Sequence, residues 1–318
     1  MYKAINLKQL LRFNETPCDL HIKLNEDKFL KFIQADSVYS EEIILKKLNQ
    51  GVKLFYVLED DYGKWDKFLS ERVKLDLEFS KNLGDDAQFN TFSRAFAKVH
   101  DTANKLGINE ETIEIVEGIQ KNAIRYFRKN KKALDVLSKA QRGKNSLSEH
   151  SLIISHIACS VALSMSWSTE STLQKFIVAS LFHDISLSSN KLIHIHTLAE
   201  AEEKGLTSAE IKQIRTHPLV SVELFNSLDI NCPNADQIIM SHHELPDGSG
   251  FPKGIDAFNT PPYVCLFILA EYFIHTMHYY DFNDDGWAHT KEQFTTYFNK
   301  GNYKNPVKGF QKLFKQLA

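Results

Sequence analysis

The histidines of this 318-residue chain are concentrated in its second half, and their distribution constrains the fold more than any other feature. Of 13 histidines, 11 lie between His150 and His289, so the chain divides into a histidine-poor and a histidine-rich half. Imidazole is the commonest metal ligand among protein side chains. The second half is therefore the part of the chain in which a metal site is expected.

The first sixty residues have the pattern of a small mixed unit. Apolar and polar residues alternate over residues 18–24, as in a half-buried strand. Residues 28–34 and 52–58 are further candidate strands, rich in apolar and aromatic side chains. Between them we expect a helix with Ser40 as its N-cap and Gly51 at its end.

After residue 63 the pattern becomes helical. Apolar residues recur at three- and four-residue steps up to Gly84, over residues 89–106, and again after Asn109. The segment 140–146 is polar and contains Gly143, which favours a boundary there. The sequence thus predicts three parts: a small N-terminal α/β domain (1–62), a helical connector (63–142) and a further domain (143–318).

Composition and charge exclude several classes of partner. The net charge of −2 gives no basic field for a nucleic acid polymer or an anionic membrane. The one basic run, residues 125–132, is interpreted as a solvated helix face. No apolar run at the N-terminus resembles a signal peptide, and the apolar stretch 264–270 is too short to span a bilayer. The four scattered cysteines form no CxxC pair and suit a reducing compartment, so we expect a cytoplasmic protein.

The adjacent pair His183-Asp184 is the strongest local signal for chemistry. It closes an apolar helical segment, residues 176–182, so its surroundings are expected to be buried. A buried carboxylate beside a histidine needs a partner charge or a metal ion. The alternative is structural, with the aspartate capping the next turn and the histidine packed in the core.

A second signal is the string HHELPDGSGFPKG, residues 242–254. Two histidines, an acid and a loop rich in glycine and proline are unusual for a core helix. Neutral histidines with carboxylates suit iron, manganese or zinc, and glycines let the backbone approach a ligand closely. The alternative is a surface turn in which the histidines are incidental.

Two isolated histidines extend the pattern. His150 lies at the start of a helix with an apolar stripe, which indicates a core-facing position. His217 precedes Pro218, where a helix commonly breaks or kinks. Alone, each would more often be a structural histidine than a ligand.

Taken in order, these motifs resemble the HD-GYP family, bacterial relatives of the HD phosphohydrolases known for hydrolysing cyclic di-GMP. The resemblance covers residues 146–280 and implies an all-helical bundle with a di- or trinuclear metal centre, often of iron. Residues 1–60 resemble, more weakly, a small mixed domain found ahead of some HD-GYP modules. The expected fold class is mainly α: an HD-GYP bundle behind a small α/β domain and a helical connector.

The resemblance also implies roles for individual residues. Asp184 matches the carboxylate that bridges two ions, and with His183 it is the expected catalytic pair. Glu271 stands where the family has an aspartate. The residues implied as metal ligands are His150 and His183 for one ion, His217, His242 and His243 for the other, and the two carboxylates Asp184 and Glu271. The expected cofactors are two divalent transition-metal ions, iron first, with manganese or zinc as alternatives. The GSGFP loop, with Gly250, Phe251, Pro252 and Lys253, is expected to lie over the metals in the ligand pocket.

The chain departs from the family pattern mainly at residues that grip phosphate. Phe251 replaces the tyrosine of the GYP motif, and Leu187 replaces a lysine that follows the HD pair. Tyr280 and Asn283 lie near the positions of two cations. Ser146 replaces the glutamate of three-metal members, which favours two ions. Among the other cationic residues, Lys191 and Lys253 are the candidate substitutes.

We therefore expect a metal-dependent hydrolase, a phosphodiesterase of the cyclic di-GMP type with weak or altered activity. Its partner would be a cyclic dinucleotide or another phosphodiester. One alternative is a phosphodiesterase for a different phosphoester. Another is a catalytically silent metal-binding signalling module that acts through a protein partner.

Four further histidines have weaker interpretations. His194 and His196 are interpreted as part of a mobile, solvated loop over the site. His275 and His278 lie one helical turn apart, which fits a metal pair but is more typical of a helix surface.

Overall fold

The computed structural model describes residues 1–106, 109–129, 146–187, 189 and 191–317. They form two compact units, residues 1–72 and residues 73–318. The predicted boundary near residue 143 lies outside the described residues, so the division into three parts stays a prediction.

The first unit is built on a four-stranded antiparallel sheet. Its strand order is β1-β4-β2-β3, and β1 pairs with β4 from Tyr2 opposite Leu58 to Asn6 opposite Leu54. Trp65 and Phe55 are fully buried in its core. The elements are β1 (Tyr2–Asn6), β2 (Leu20–Lys23), β3 (Phe29–Ile33), α1 (Glu41–Asn49) and β4 (Leu54–Leu58).

The rest of the described chain is helical. Its longer helices are amphipathic or apolar, and several begin at side-chain caps: Ser146, Thr169 and Thr207 each accept a hydrogen bond from the backbone N–H three residues on. The helices are α2 (Tyr62–Phe79), α3 (Asp85–Leu106), α4 (Glu110–Lys129), α5 (Leu147–Ala162), α6 (Glu170–Phe182), α7 (Leu198–Glu203), α8 (Ser208–Asn226), α9 (Ala235–Ser241), α10 (Pro262–Tyr279), α11 (Asp284–Thr296) and α12 (Lys304–Leu317).

One apolar core runs through the second unit. Phe92 of α3 and Phe127 of α4 belong to the same buried cluster as Phe176 of α6 and Phe267 of α10. The helices of the predicted connector from residue 73 onwards therefore share a core with the helices that carry the histidines. Among the described residues, no helix combines the length and the apolar character that crossing a membrane requires.

The helix is not broken at Pro218, where a break or a kink is common. Helix α8 continues through Pro218 as far as Asn226. A proline inside a helix removes one backbone hydrogen bond but does not always end the helix. The carbonyl group of Ile214, which Pro218 leaves free, accepts a hydrogen bond from the His217 side chain instead.

Candidate metal centre

Seven buried side chains converge from five helices of the second unit. Each is at most 3 % exposed. His150 lies on α5, His217 on α8 and Glu271 on α10. The two adjacent pairs follow helix ends directly, His183-Asp184 after α6 and His242-His243 after α9. Residues separated by more than 120 positions in sequence are thereby brought to one place.

These side chains form two sets of potential ligands that share Asp184. One set is Asp184, His217, His242 and His243, and the other is Asp184, His150, His183 and Glu271; within each set the ligand atoms lie within 4.8 Å of one another. Asp184 turns a different oxygen to each set. Its Oδ1 lies 3.1 Å from His217 Nε2, and its Oδ2 lies 3.3 Å from His183 Nε2. This is the geometry expected of a bridging carboxylate.

The backbone fixes the orientation of three of these histidine rings. The Nδ1–H groups of His183, His217 and His242 donate to the carbonyl oxygens of the residues three positions earlier, at 2.8, 2.7 and 2.7 Å. A carbonyl oxygen can only accept, so Nδ1 carries the proton in each ring. The lone pair of each neutral ring is therefore on Nε2, which faces the cluster.

The acceptors are available because the helices end, or lack a backbone hydrogen bond, at these residues. His183 and His242 are the C-cap residues of α6 and α9, and the last carbonyl groups of a helix have no intrahelical partner. Within α8, Pro218 has no N–H with which to bond the carbonyl of Ile214. His217 donates to that carbonyl instead. The helix ends and the proline thus orient the rings.

The donor atoms are arranged to bind a cation rather than to form hydrogen bonds with one another. His217 Nε2 lies 3.0 Å from His242 Nε2, and in the neutral rings both atoms carry lone pairs. His183 Nε2, Asp184 Oδ1 and Glu271 Oε2 are buried without a hydrogen-bond partner. Leaving such a polar atom unsatisfied costs about 1–3 kcal/mol. Bound metal ions would satisfy all of these atoms together, so the residues fit a metal centre.

The electrostatic environment favours the same conclusion. Burial alone would raise the pKa values of Asp184 and Glu271, but nearby His183 holds both well below their ordinary values. Burial would lower the pKa of His183, but the two carboxylates hold it well above its ordinary value. The carboxylates are therefore ionised and attract a positive charge, which a proton on His183 or a metal ion can supply.

The GSGFP loop lies against the cluster. The ring of Phe251 stacks on that of His243, with 4.6 Å between centroids and an interplanar angle of 15°. Glu244 is fully buried and accepts hydrogen bonds from the backbone N–H groups of Lys253 and Ile255, both at 2.8 Å. A Cβ at Gly250 would lie 2.3 Å from the backbone nitrogen of Leu245, so only glycine fits there. Glu244 therefore anchors the loop to the histidine pair.

A second segment covers the same region. We call residues 191–197 the covering segment. Its Leu192, Ile193 and Ile195 are buried in an apolar cluster together with Leu187 and Phe251. It also meets the candidate ligands directly, since the backbone carbonyl of His196 accepts a hydrogen bond from His243 Nδ1 at 2.9 Å.

The residues that depart from the family pattern pack in the core or cap helices, and the two candidate substitute lysines lie elsewhere. Leu187 is 6 % exposed within the apolar cluster. Ser146 caps α5, and Asn283 caps α11 by accepting from the backbone of Gly286. Lys191 is ion-paired with Glu210 at 3.1 Å. Lys253 is exposed.

Two interpretations of the weaker histidines are wrong. His275 is not a surface residue of its helix: it is 8 % exposed, and its Nε2 lies 2.8 Å from Glu271 Oε1. His196 is not solvated: it is 5 % exposed and stands between His243 and His275. One further buried histidine, His100 on α3, donates from Nε2 to the carbonyl of Leu181 just before the HD pair.

A cavity of about 310 Å³ adjoins the cluster. His196 and His275, which contact the candidate ligands His243 and Glu271, line it together with Tyr280. Glu200 and Glu203 contribute the acidic side chains. Among the described residues that line this cavity, none is lysine or arginine.

Comparison with known proteins finds a family model that matches part of the chain and a solved structure with a similar fold. Residues 131–278 match the family model described as "HD domain", a family of metal-dependent hydrolases. The fold is similar to that of "Bd1817, a HDG"Y"P protein from Bdellovibrio bacteriovorus", with a TM-score of 0.63. The two chains are 16% identical, and the similarity covers 99% of this chain and 100% of the other. None of the curated proteins compared with the chain matches it.

Proposed function

Residues 131–278 of this chain match the HD domain family, and from that premise we propose that the protein is a metal-dependent phosphodiesterase of the HD-GYP type. The observation that carries the proposal is the pair of buried ligand sets that share Asp184. Two divalent ions would occupy them, with iron as the first expectation and manganese or zinc as alternatives, because these metals accept mixed imidazole and carboxylate ligands.

Each ion has its own proposed ligands besides the bridging carboxylate. His217, His242 and His243 would hold one ion, and His150, His183 and Glu271 the other. His275 contacts Glu271 and is proposed to orient that carboxylate. When bound, a pair of such ions supplies Lewis-acid activation of water and neutralises charge that develops on phosphate.

The surrounding residues have proposed roles in positioning and in excluding water. The contacts between Nδ1–H groups and carbonyls keep three rings directed at the cluster. Phe251 and the covering segment shield the cluster with apolar side chains. Electrostatic interactions are stronger where water is excluded, so this shielding supports catalysis on a phosphodiester.

The substrate is proposed to be a phosphodiester bound with little help from cationic side chains. The adjoining cavity contains Tyr280 and two glutamates, while Lys191 is paired with Glu210. Its volume of about 310 Å³ is near the lower end for drug-sized ligands, roughly 300–1,000 Å³. We therefore propose that cyclic di-GMP, which is large and carries two phosphates, is hydrolysed slowly. The four cysteines are free and buried, which supports a cytoplasmic location.

The test pairs elemental analysis of the purified protein with hydrolysis of bis(4-nitrophenyl) phosphate and cyclic di-GMP. We expect about two ions per chain and measurable turnover of the activated diester. Asp184→Asn should lower that turnover by at least about 100-fold, because the bridging carboxylate serves both ions. Asp229→Asn, which changes an exposed aspartate of the same unit, is the matched control and should keep wild-type activity.

Two results would redirect the proposal. A wild-type protein that holds two ions but hydrolyses no phosphodiester would be a silent signalling module that works through protein contacts. A protein that holds no transition metal at all would overturn the metal assignment itself.

A further inference from the structure

A third group of histidines lies beside the two ligand sets. His194 of the covering segment, His278 of α10 and His150 of α5 each place a ring nitrogen within 4.8 Å of the other two. The ring centroids of His194 and His278 are 4.8 Å apart, and those of His194 and His150 are 5.8 Å apart. Three imidazoles from three separate segments thus face one another.

Their ring nitrogens include buried atoms that have no hydrogen-bond partner. Both Nδ1 and Nε2 of His194 are in this state, and so is Nδ1 of His150. His150 turns Nε2 towards Glu271 Oε1, at 3.3 Å, so Nδ1 is a second nitrogen that this ring can offer. A ring that uses both nitrogens for cations releases its proton to solvent.

The chemistry of this group differs from that of the two-metal centre. All three donors are imidazole nitrogens, and a three-histidine set favours a borderline ion such as Zn²⁺ over Mg²⁺ or Ca²⁺.

We propose that His150, His194 and His278 form a third cation site, and that an ion bound there fastens the covering segment to α5 and α10. His194 is the residue through which the segment would be held, since its neighbours Ile193 and Ile195 pack over the cluster. Occupancy of the site would keep the segment closed. Loss of the ion would leave only apolar packing and the contact between His196 and His243 to hold it.

The test uses His194 and His278, because neither belongs to the proposed two-metal centre. The purified full-length chain is equilibrated with Zn²⁺, freed of excess metal and analysed for bound ions. Compared with wild type, His194→Gln and His278→Gln should each bind about one ion fewer per chain. His289→Gln is the matched control, because His289 is a histidine of the neighbouring helix α11, bonded to the hydroxyl group of Tyr272.

A second measurement reports the predicted closure. In wild type, Zn²⁺ should slow amide hydrogen exchange in the covering segment, whereas in the two variants it should not. His278→Cys keeps a zinc donor and should restore both the ion and the slowed exchange. Asp184→Asn, which removes the bridge of the two-metal centre, should lower hydrolysis by at least about 100-fold but leave the zinc-dependent exchange in place.

The proposal fails if both glutamine variants bind as much Zn²⁺ as wild type. It also fails if zinc slows exchange in the covering segment equally in wild type and in His278→Gln. Either outcome leaves the two-metal proposal untouched, because that proposal is tested through Asp184.

Discussion

At the scale of single residues, Asp184 and Glu271 should differ in the number of ions they support. Asp184 belongs to both ligand sets, whereas Glu271 belongs to one. Asp184→Ala should therefore lower the occupancy of both sites, and Glu271→Gln should lower that of one. Elemental analysis of the two variants checks this. Two retained ions in Asp184→Ala would refute the bridging role.

His100 gives a residue-scale prediction about pH. Burial lowers its pKa from 6.5 to about 4. Between these two pH values the ring is neutral in the folded chain but protonated in the unfolded chain. Its contribution to stability is complete above pH 6.5 and is lost as the pH falls towards 4. At pH 5 the loss relative to pH 7 should be about 2 kcal/mol.

Denaturant unfolding of wild type and His100→Gln at pH 7 and pH 5 measures that loss. The variant lacks the titrating group, so its stability should fall less between the two pH values. An equal fall in both proteins would mean that His100 does not contribute to the acid sensitivity.

The residues of the candidate centre differ in how visible they are in the sequence. The seven side chains that the fold brings together were selected through the resemblance to the HD-GYP family, which the order of histidines and acids carries. His275 was misplaced, although it lies four residues after Glu271 and therefore on the same helix face. The acceptor for His243 could not have been found, because it is a backbone carbonyl 47 residues away in an irregular segment.

At the scale of secondary structure, the backbone hydrogen bond that α8 lacks at Pro218 is predicted to matter for metal affinity. Pro218→Ala adds an N–H that competes with His217 for the carbonyl of Ile214. The helix should remain intact or become more stable, while metal affinity should fall by roughly 10–100-fold, as for other residues that orient a ligand.

Metal dissociation constants for Pro218→Ala and for Leu219→Ala check this expectation. Leu219 is the next residue of the same helix and is 44 % exposed, so its truncation should leave affinity unchanged. Wild-type affinity in Pro218→Ala would show that the freed carbonyl does not orient the ring.

The elements were predicted best where short-range signals were strong. Ser40 and Gly51 bracket α1, and the strands near residues 20–33 and 54–58 appear where the apolar patterns put them. Strand β1 (Tyr2–Asn6) was not predicted, because its five residues depend on pairing with β4 rather than on a pattern of their own. Helix α8 shows the opposite case, in which tertiary packing overrides a strong local signal at Pro218.

At the scale of the whole molecule, the shared core predicts which fragments fold. Phe92 of α3 and Phe127 of α4 are fully buried in the core that also contains Phe267. A fragment of residues 73–318 should therefore fold cooperatively and bind its metals. A fragment of residues 143–318 exposes much of that core and should aggregate or stay partly unfolded.

Circular dichroism during thermal unfolding, together with elemental analysis, distinguishes the two fragments. A cooperative transition and full metal content in the shorter fragment would show that α3 and α4 are dispensable, as the predicted three-part division implies.

The last prediction concerns substrate choice, which depends on how the centre, the cavity and the apolar cluster combine. The cavity beside the centre is lined by Tyr280 and by two glutamates, and among its described lining residues none is cationic. Wild type should therefore hydrolyse bis(4-nitrophenyl) phosphate measurably and cyclic di-GMP slowly.

Adding a cationic side chain should speed the hydrolysis of cyclic di-GMP only where that side chain can reach the cavity. Restoring a lysine at position 187 looks attractive from the sequence, but Leu187 is buried among apolar side chains with Phe251. Leu187→Lys would place a charge there, so it should destabilise the protein rather than raise activity. Tyr280→Lys introduces the charge in the wall of the cavity itself. It should raise kcat/KM for cyclic di-GMP by about 10-fold, the effect of roughly 1.4 kcal/mol of added binding to the transition state, with a smaller change for the activated diester. Steady-state kinetics on both substrates tests this expectation. An equal gain in kcat/KM for Leu187→Lys and Tyr280→Lys would mean that phosphate does not reach the centre through the cavity.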